Sequence, residues 1–584
     1  MKTYYTNERN IQQLIYLMKA NGIRKVIASP GSANVTFVAS IQQDPYFEIY
    51  SSVDERSAAY MACGMAAESN EIVAISCTGA TASRNYIPGL TEAFYRKLPI
   101  LVITATQHIG RIGQNMPQVI DGTTPLNDMV KLSVNVPAVH DDEDEWANEI
   151  GLNTAILELR HHGGGPVHVN MTTMYSTDFS VKKLPPCRVI NRILEGELFP
   201  EIQSKKIALF VGAHKKWSDS LTQVVDEFCE KYNAVVFCDH TSNYQGKYRI
   251  FMNLIADQTH HHSENTYVDI LIDIGDISGA YMSLTPKEVW RINPDGKIRD
   301  SRKKMRYIFE MTEEKFFQVY VSMALTKGID ISFYKKCDQE YHDILRKIID
   351  LPFSNIWMAW KTSTRLPQNS VIHFGILNSL RTWNLFEKPA SVLGYSNTGG
   401  FGIDGGVSSL IGASIVNPEK LFFGVIGDLA FFYDLNSLGN RHIGTNLRLI
   451  LVNNGGGTEF RNYTNSASMF GDDTNKYIAA GGHYGSQSPV LVKGYAEALG
   501  FEYISANNKE EYLEHLERFL EEKTLDKPIL FEVFTNSKDE SDAWYVIKNL
   551  EVSIVDTVKK KMKQVAKEIL GDKTAKYLKK IIQK

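Results

Sequence analysis

The sequence predicts an α/β protein made of three doubly wound domains, each with a parallel sheet, and an amphipathic helical extension at the C-terminus. Short apolar runs of strand length alternate with amphipathic segments of helix length along most of the chain. This alternation is typical of parallel sheets covered by helices on both faces. A chain of 584 residues is also too long for a single hydrophobic core, so we expect it to divide into several domains.

The composition argues against several classes of protein. With 43% hydrophobic and 22% charged residues the chain has an ordinary globular composition. Its net charge of -4 gives no reason to expect a nucleic-acid partner or an anionic-membrane partner for the whole molecule. The N-terminus lacks an apolar signal segment, and no run reaches the roughly 18 apolar residues of a membrane span. The six cysteines are scattered without a CxxC pair, which favours free thiols in a cytoplasmic protein.

The first domain is predicted over residues 1–184. Asp54-Glu55-Arg56 lies where a strand ends and a helix begins. A carboxylate at such a place usually stabilises the positive end of the helix dipole, and a functional role for Glu55 is the alternative. The predicted helices cover residues 10–20, 55–67 and 85–95, and the predicted strands cover residues 25–28, 47–51, 72–77, 100–104 and 166–170.

The second domain is predicted over residues 190–345, after a Pro185-Pro186 linker. Its strands are expected at residues 206–211, 234–238, 268–274 and 289–292. Because it carries no GxGxxG sequence, we expect no dinucleotide there. The run His260-His261-His262 is the other candidate in this domain. Consecutive histidines cannot easily face one metal ion, so a solvated loop is favoured over a metal site.

The third domain is predicted over residues 350–550, and it contains the most informative stretch of the chain. An apolar strand at 422–426 ends in Gly427-Asp428, and a second strand at 447–452 ends in Asn453-Asn454 and three glycines. Two parallel strands joined by a helix end at the same edge of a sheet. Carboxylate, amide and carbonyl oxygens are ligands that Mg²⁺ prefers, and a helix N-terminus after Asp428 would favour phosphate. Ordinary turn chemistry is the alternative.

The spacing of these two turns resembles the cofactor motif of thiamin diphosphate (ThDP) enzymes. The resemblance implies that Asp428, Asn454 and the Gly456 carbonyl bind Mg²⁺, and that Gly427 and Leu429 also belong to the cofactor site. Leu429 stands where most of the family has glycine. The same replacement occurs in the menaquinone-pathway branch, the 2-succinyl-5-enolpyruvyl-6-hydroxy-3-cyclohexene-1-carboxylate synthases, whose GDLSxxxDLN pattern is similar to residues 427–436 here.

A second stretch resembles the same branch. VDERSAAYMACGMA followed by SCTGATASRNYIPGLTEAF is similar to the family's pyrimidine-binding domain. The match implies that Glu55 hydrogen-bonds the aminopyrimidine ring and so activates the cofactor. In NTGGFGIDGG, Ile403 matches the apolar residue that supports the bent cofactor. The three predicted domains are then the pyrimidine, central and diphosphate domains of the family.

The resemblance implies an enzyme that decarboxylates a 2-oxo acid. Carboligation, in which the remaining group is added to an unknown acceptor, is favoured because the most similar branch does this. The alternatives are a simple decarboxylase of the phosphonopyruvate or sulfopyruvate type and an acetolactate-synthase-like enzyme. A non-catalytic subunit with the ThDP fold is a further alternative, and the retention of Glu55, Asp428 and Asn454 argues against it.

Substrate recognition is where the chain departs from this branch. The branch binds carboxylate-rich substrates with arginines, and three of these correspond to Ala33, Gln107 and Thr398 here. Arg381 matches a fourth arginine. Because guanidinium groups bind carboxylates in a bidentate manner, we expect an acceptor with fewer carboxylates.

Further site residues follow from the same match. Ser32, Gln107 and Arg381 are assigned to the substrate site, and Gln118 matches a catalytic glutamine of the branch. Glu459 lies where the branch lines its reaction pocket, so it is expected either to relay a proton or to be a loop carboxylate in water.

The last predictions concern assembly. ThDP enzymes of this type build their site from two subunits, which implies a homodimer or homotetramer. Residues 551–584 lie beyond the family pattern, and apolar side chains recur there at three- and four-residue steps among many lysines. Such a basic amphipathic helix can pack on its own oligomer or lie on an anionic membrane. Packing on the oligomer is favoured.

Overall fold

The computed structural model describes residues 4–203, 206–279, 282–324, 328–482 and 487–551. The strands of the described residues belong to three sheets, and the first and third of these have six strands each. The strand pairs with a defined register are parallel, so the predicted fold class of three parallel-sheet α/β domains is confirmed. Residues 552–584, the greater part of the predicted extension, lie outside the described residues. The domain boundaries at 184, 190, 345, 350 and 550 stay predictions.

The chain divides into two compact units. The first contains Met1–Pro200 and Val289–Met311, and the second contains Glu201–Glu288 and Thr312–Lys584. Among the described residues no helix is both long enough and apolar enough to cross a membrane. All six cysteines are free and buried, as the sequence predicts.

The first unit begins with a six-stranded sheet in the order β2-β1-β3-β4-β6-β5. Its strands are buried on both faces near the centre, which is why they appear in the sequence as continuous apolar runs. The strands are β1 (Lys25–Ala28), β2 (Glu48–Ser51), β3 (Val73–Thr78), β4 (Ile100–Thr106), β5 (Leu132–Val136) and β6 (Val167–Thr172). The helices are α1 (Arg9–Ala20), α2 (Val35–Ile41), α3 (Glu55–Ser69), α4 (Thr81–Asn85), α5 (Ile87–Tyr95) and α6 (Asp142–Glu158).

Several of these elements differ from the sequence prediction, which contained neither α2 nor α6. The helix predicted at 85–95 is two helices, α4 and α5, with Tyr86 between them. The edge strand β5 was not predicted, because its sequence LSVNV contains no apolar run and most of its residues are only half-buried.

Helix α3 packs closely on α5, and small residues make this possible. The buried face of α3 consists largely of alanines, including Ala59 and Ala62. On α5, Gly89 approaches α3 so closely that a Cβ atom there would lie 2.5 Å from the Ala59 Cβ. This packing fixes the position of α3, whose first residue is Glu55.

The middle part of the chain supplies further parallel strands. In the second unit the strand order is β10-β9-β8-β11, and in the first unit β13 pairs in parallel with β7. The strands are β7 (Asn191–Leu194), β8 (Ile207–Val211), β9 (Ala234–Cys238), β10 (Arg249–Ile250), β11 (Tyr267–Ile274), β12 (Thr285–Ile292) and β13 (Met305–Glu310). The helices are α7 (Asp219–Tyr232), α8 (Asn253–Ala256), α9 (Glu313–Met323) and α10 (Ser332–Leu345).

The histidine run lies in a loop after α8. His260 and His262 are exposed, and His261 Nε2 lies 2.8 Å from Glu340 Oε1. A different histidine pair, His161 and His162, shares the Glu310 carboxylate at 2.8 and 2.9 Å.

The third sheet, in the second unit, has the order β15-β14-β16-β17-β19-β18. From β14 the chain adds β15 on one side of the sheet, and it then adds β16 on the other side of β14. The strand order therefore reverses between β14 and β16. Ligands of open α/β sheets bind at such a point. The strands are β14 (Val371–Phe374), β15 (Leu393–Ser396), β16 (Phe422–Gly427), β17 (Leu447–Asn453), β18 (Glu502–Ala506) and β19 (Ile529–Phe534). The helices are α11 (Asn355–Thr362), α12 (Asn378–Trp383), α13 (Gly406–Val416), α14 (Asp428–Tyr433), α15 (Thr474–Tyr477), α16 (Leu491–Ala498), α17 (Lys509–Phe519) and α18 (Ser537–Lys548).

Candidate active site

Asp428 organises the carboxyl edge of the third sheet. It is the first residue of α14, directly after β16, and only 5% of it is exposed. Its Oδ2 accepts the backbone N–H groups of Asn454, Gly455 and Gly456 at 3.1, 2.7 and 3.1 Å, and its Oδ1 accepts that of Leu429 at 2.7 Å. Burial raises the pKa of this carboxyl to about 6, against the opposing effect of these four hydrogen bonds.

Asn454 faces the same place with an unsatisfied oxygen. Its Oδ1 is buried and has no hydrogen-bond partner among the described residues, although its Nδ2 donates to Thr458 Oγ1 at 3.3 Å. Buried amide oxygens without a partner are uncommon and call for an explanation such as an ion. The Gly456 carbonyl accepts the Thr458 N–H at 3.0 Å and keeps a second lone pair. The three oxygen types that Mg²⁺ prefers are thus present, and this donor set fits the ion.

Hydrogen bonds to side chains of neighbouring strands support the loop that carries Asn454. Asn453 Nδ2 donates to Glu532 Oε1 at 2.7 Å, and Tyr503 donates its hydroxyl to Glu532 Oε2 at 2.8 Å. Gly455 has a φ of +82°, a conformation that glycine adopts without strain. Glu532 and Tyr503 therefore position the loop. Neither residue could be found from the sequence, because both lie on other strands.

Other predicted cofactor residues surround this cluster. A small cavity beside Asp428 is also lined by Leu429 and Gly456, while Gly427 is the N-cap of α14. The helix predicted after Asp428 has only six residues, so its dipole contributes less than a long helix would. Ile403 is half-buried in the loop between β15 and α13.

The segment that follows α14 has a structural role. Asp434 accepts the backbone N–H of Ser408 at 2.6 Å and its hydroxyl at 2.5 Å. Ser408 belongs to the first turn of α13, so Asp434 fixes this helix and the loop before it, which contains Ile403. The Asp434 carboxylate of the predicted branch motif therefore acts by positioning other residues.

Arg381 and Glu459 form an ion pair beside the metal-binding candidates. Arg381 Nη1 lies 2.6 Å from Glu459 Oε1, and the two side chains are 19% and 23% exposed. Both line a cavity of about 430 Å³. This pairing and partial burial argue against a loop carboxylate in water, and the role of Glu459 as a proton relay stays a prediction. The predicted substrate arginine and the candidate proton relay are in direct contact, which the sequence could not indicate.

The predicted residues of the first unit all follow carboxyl ends of strands in its sheet. Glu55 is half-buried at the start of α3 and accepts a long hydrogen bond of 3.4 Å from Asn85 Nδ2. The capping function belongs to its neighbour Asp54, whose carboxylate accepts the Arg56 N–H at 3.2 Å. Val53, just before this turn, is 81% exposed.

The remaining predicted residues have varied surroundings. Ser32 and Gln118 are exposed, and Gln118 has a φ of +61°. Gln107 Oε1 accepts a hydrogen bond from Arg111 at 2.6 Å. Two of the positions that carry arginine in the menaquinone branch are closed to solvent, because Ala33 is 3% and Thr398 is 4% exposed.

Comparison with known proteins places the two sets of predicted residues in two family domains. The model of the N-terminal TPP binding domain of thiamine pyrophosphate enzymes matches residues 10–124, and the model of the C-terminal TPP binding domain matches residues 378–533. The first range contains Ser32, Glu55, Gln107 and Gln118. The second range contains the other predicted site residues, from Arg381 to Glu459.

Similar proteins extend the match to most of the chain. The 2-succinyl-5-enolpyruvyl-6-hydroxy-3-cyclohexene-1-carboxylate synthase of Phocaeicola vulgatus is 31% identical over 92% of this chain and 97% of its own length. The chain belongs to the thiamine pyrophosphate enzyme family. The synthase of the same name from Bacteroides fragilis is 30% identical over 93% of this chain and 100% of its own length, and that from Porphyromonas gingivalis is 27% identical over 92% and 96%. The protein is therefore a ThDP-dependent enzyme.

Two weaker matches complete the comparison. The structure of the Rhodococcus jostii RHA1 thiamine diphosphate-dependent 4-hydroxybenzoylformate decarboxylase covers 90% of this chain and 99% of its own, with 16% identity and a TM-score of 0.36. A model of the thioredoxin-like SNTX domain matches residues 486–583. This range overlaps the C-terminal TPP binding domain, and here it includes β18 and β19 of the third sheet.

Proposed function

We propose that this enzyme uses ThDP and Mg²⁺ to decarboxylate a 2-oxo acid and transfers the resulting acyl-anion equivalent to an acceptor. The observation that carries the proposal is the buried, unsatisfied Oδ1 of Asn454 beside Asp428 at the carboxyl edge of the third sheet. The names of the similar synthases support the transfer step. When bound, the thiazolium ring of ThDP supplies an electron sink for the loss of CO₂.

The protein would hold this cofactor at both ends. Asp428, Asn454 and the Gly456 carbonyl would bind Mg²⁺, which in turn binds phosphate oxygens. Ile403, Gly427 and Leu429 would contact the cofactor. In the first unit, the Glu55 carboxylate would bond a ring nitrogen of the pyrimidine and hold a proton there, and Gln118 would act near the reacting atoms.

The substrate is proposed to differ from that of the menaquinone branch. Ser32, Gln107 and Arg381 would contact it. Because Ala33 and Thr398 are nearly inaccessible and carry no charge, neither can bind a carboxylate as arginine does. The proposed acceptor therefore carries fewer carboxylates.

The enzyme is further proposed to act as a homodimer or homotetramer. Glu55 is followed on α3 by Tyr60 and Met61, which are 48% and 42% exposed, and it is preceded by Val53 at 81%. Exposed apolar side chains around a carboxylate with a proposed function support the proposal that a partner subunit covers this surface. Full activity of a species that sediments as a monomer would contradict the proposal.

The proposed activity is tested by measuring CO₂ release. The purified enzyme with ThDP and Mg²⁺ is given a panel of 2-oxo acids, each with and without an aldehyde or enone acceptor. Acceptor-dependent consumption with a new carbon–carbon bond in the product is expected. An aldehyde product that forms equally without acceptor would identify a simple decarboxylase, and no CO₂ from any acid would contradict the proposal.

A further inference from the structure

The cavity lined by Arg381 and Glu459 lies within the second unit. It has a volume of about 430 Å³ and is walled by α8 and the residues after it, by α12, by residues 459–465 and by α18 with the residue after it. Amides, hydroxyls and aromatic rings make up most of its lining, including Asn462, Tyr463 and Trp544.

This cavity adjoins the metal-binding candidates through a short chain of contacts. Asn454 Nδ2 donates to Thr458 Oγ1 at 3.3 Å, and the Asn378 amide lies 2.9 Å from the same oxygen. Glu459 follows Thr458 and pairs with Arg381, which is on the same helix as Asn378. A substrate that reacts beside the Asn454 loop could therefore place its distal end in this cavity.

Among the described residues, four charged side chains line the cavity, two positive and two negative. Arg381 is matched by Glu459 at 2.6 Å. Asp257 and Lys548 are the other two. Burial raises the pKa of Asp257 to about 6, and the charges of Lys548 and Arg381 oppose that rise. The cavity thus has no excess of positive charge with which to attract an anion.

We propose that Glu459 determines substrate specificity by occupying the Arg381 guanidinium, so that the cavity accepts the uncharged end of a 2-oxo monocarboxylic acid and rejects a 2-oxo dicarboxylic acid. The proposal rests on the proposed function and names its substrate class. A second carboxylate that approaches Arg381 would meet the partly buried carboxylate of Glu459, which already lies 2.6 Å from the guanidinium. Like charges in such a site disfavour binding, which gives discrimination between otherwise similar ligands.

Calorimetry with unreactive ligands tests this directly. Glutarate and pentanoate have similar length, but only glutarate carries a second carboxylate. In the enzyme loaded with ThDP and Mg²⁺, Glu459→Gln should bind glutarate about tenfold more tightly than wild type, because a charge-assisted pair with Arg381 becomes available. Its affinity for pentanoate should change less than about twofold. Adding Arg381→Gln to Glu459→Gln should remove the gain.

Two control variants test whether the change in affinity is caused by the charge of Glu459. Glu517→Gln removes a carboxylate from an exposed ion pair with Arg365 elsewhere in the unit and should leave both affinities unchanged. Glu459→Asp retains the negative charge and should discriminate as wild type does. Where Glu459→Gln does not fold, as judged by thermal unfolding, Glu459→Met replaces it as an uncharged side chain of similar length.

The proposal is overturned if the uncharged variants bind glutarate no better than wild type, or if they gain equally for pentanoate. Kinetics separate this outcome from failure of the proposed function. If wild type releases CO₂ from 2-oxopentanoate faster than from 2-oxoglutarate and Glu459→Gln lowers KM for 2-oxoglutarate, both proposals hold. If no 2-oxo acid reacts, the proposed function fails, while the calorimetry still decides the charge selectivity of the cavity.

Discussion

The carboxyl edges of the first and third sheets differ in how fully the key carboxylate of each is buried and hydrogen-bonded by groups of its own unit. At the third sheet, Asp428 is 5% exposed and accepts four backbone hydrogen bonds from its own unit. At the first sheet, Glu55 accepts a single hydrogen bond from the described residues, at 3.4 Å, and it lies near the strongly exposed Val53. The proposed metal and diphosphate end is therefore preorganised within one unit, whereas the proposed pyrimidine end is left open for other groups to cover.

The largest effect is expected from Glu55→Gln, which keeps the shape of the side chain and removes its charge. We expect hydrogen–deuterium exchange at the C2 atom of bound ThDP to slow by at least about 100-fold, as is usual when a positioned proton-transfer group is lost. NMR of acid-quenched samples measures this exchange.

The matched control for Glu55 is Glu68→Gln, because Glu68 is an exposed carboxylate on the same helix. It should exchange at the wild-type rate. Wild-type exchange in Glu55→Gln itself would show that the open edge of the first sheet has no role in cofactor activation.

Asp428→Ala tests the preorganised edge. The substitution removes a proposed Mg²⁺ ligand and also leaves three loop N–H groups without their acceptor, so we expect the affinity for Mg²⁺ and ThDP to fall by about 10- to 100-fold. Titration calorimetry measures both affinities. Asp472→Asn, which changes a carboxylate that is 95% exposed, should bind as wild type does, and unchanged affinity in Asp428→Ala would place the metal site elsewhere.

Gly89→Ala tests the close packing of α3 on α5, which fixes the position of Glu55 at the open edge of the first sheet. A Cβ atom at Gly89 would lie 2.5 Å from the Ala59 Cβ, so α3 and α5 must move apart. Overpacking of this kind costs about 1–3 kcal/mol of stability, which urea unfolding would detect. The control is Gly64→Ala on α3, where a Cβ atom would have no neighbour within 4 Å; an equal loss in both variants would rule out the close contact as the cause.

The sequence predicted the fold and the third-sheet site for the same physical reason. Strands such as β16 and β17 are buried on both faces, so they form continuous apolar runs, and parallel topology then brings their ends together. Strands with mixed patterns, such as β5 and β13, carry no such signal. The Arg381–Glu459 pair joins residues 78 positions apart, and nothing in local periodicity links them, so only the structure could show that the predicted substrate arginine is already paired.

The smallest effect on the cofactor site is expected from removing the lysine-rich tail, residues 552–584, which lie outside the described residues. A truncation after Glu551 keeps α18 and the 2.6 Å ion pair between Glu551 and Lys347. Because all proposed ligands of the cofactor lie earlier in the chain, affinity for ThDP should stay within about twofold of wild type, a difference below about 0.4 kcal/mol. The proposal that the tail packs on the enzyme's own oligomer predicts a change in sedimentation or a lower unfolding temperature. Tail-dependent binding to anionic vesicles that is lost at high salt, with unchanged sedimentation, would instead identify a membrane contact.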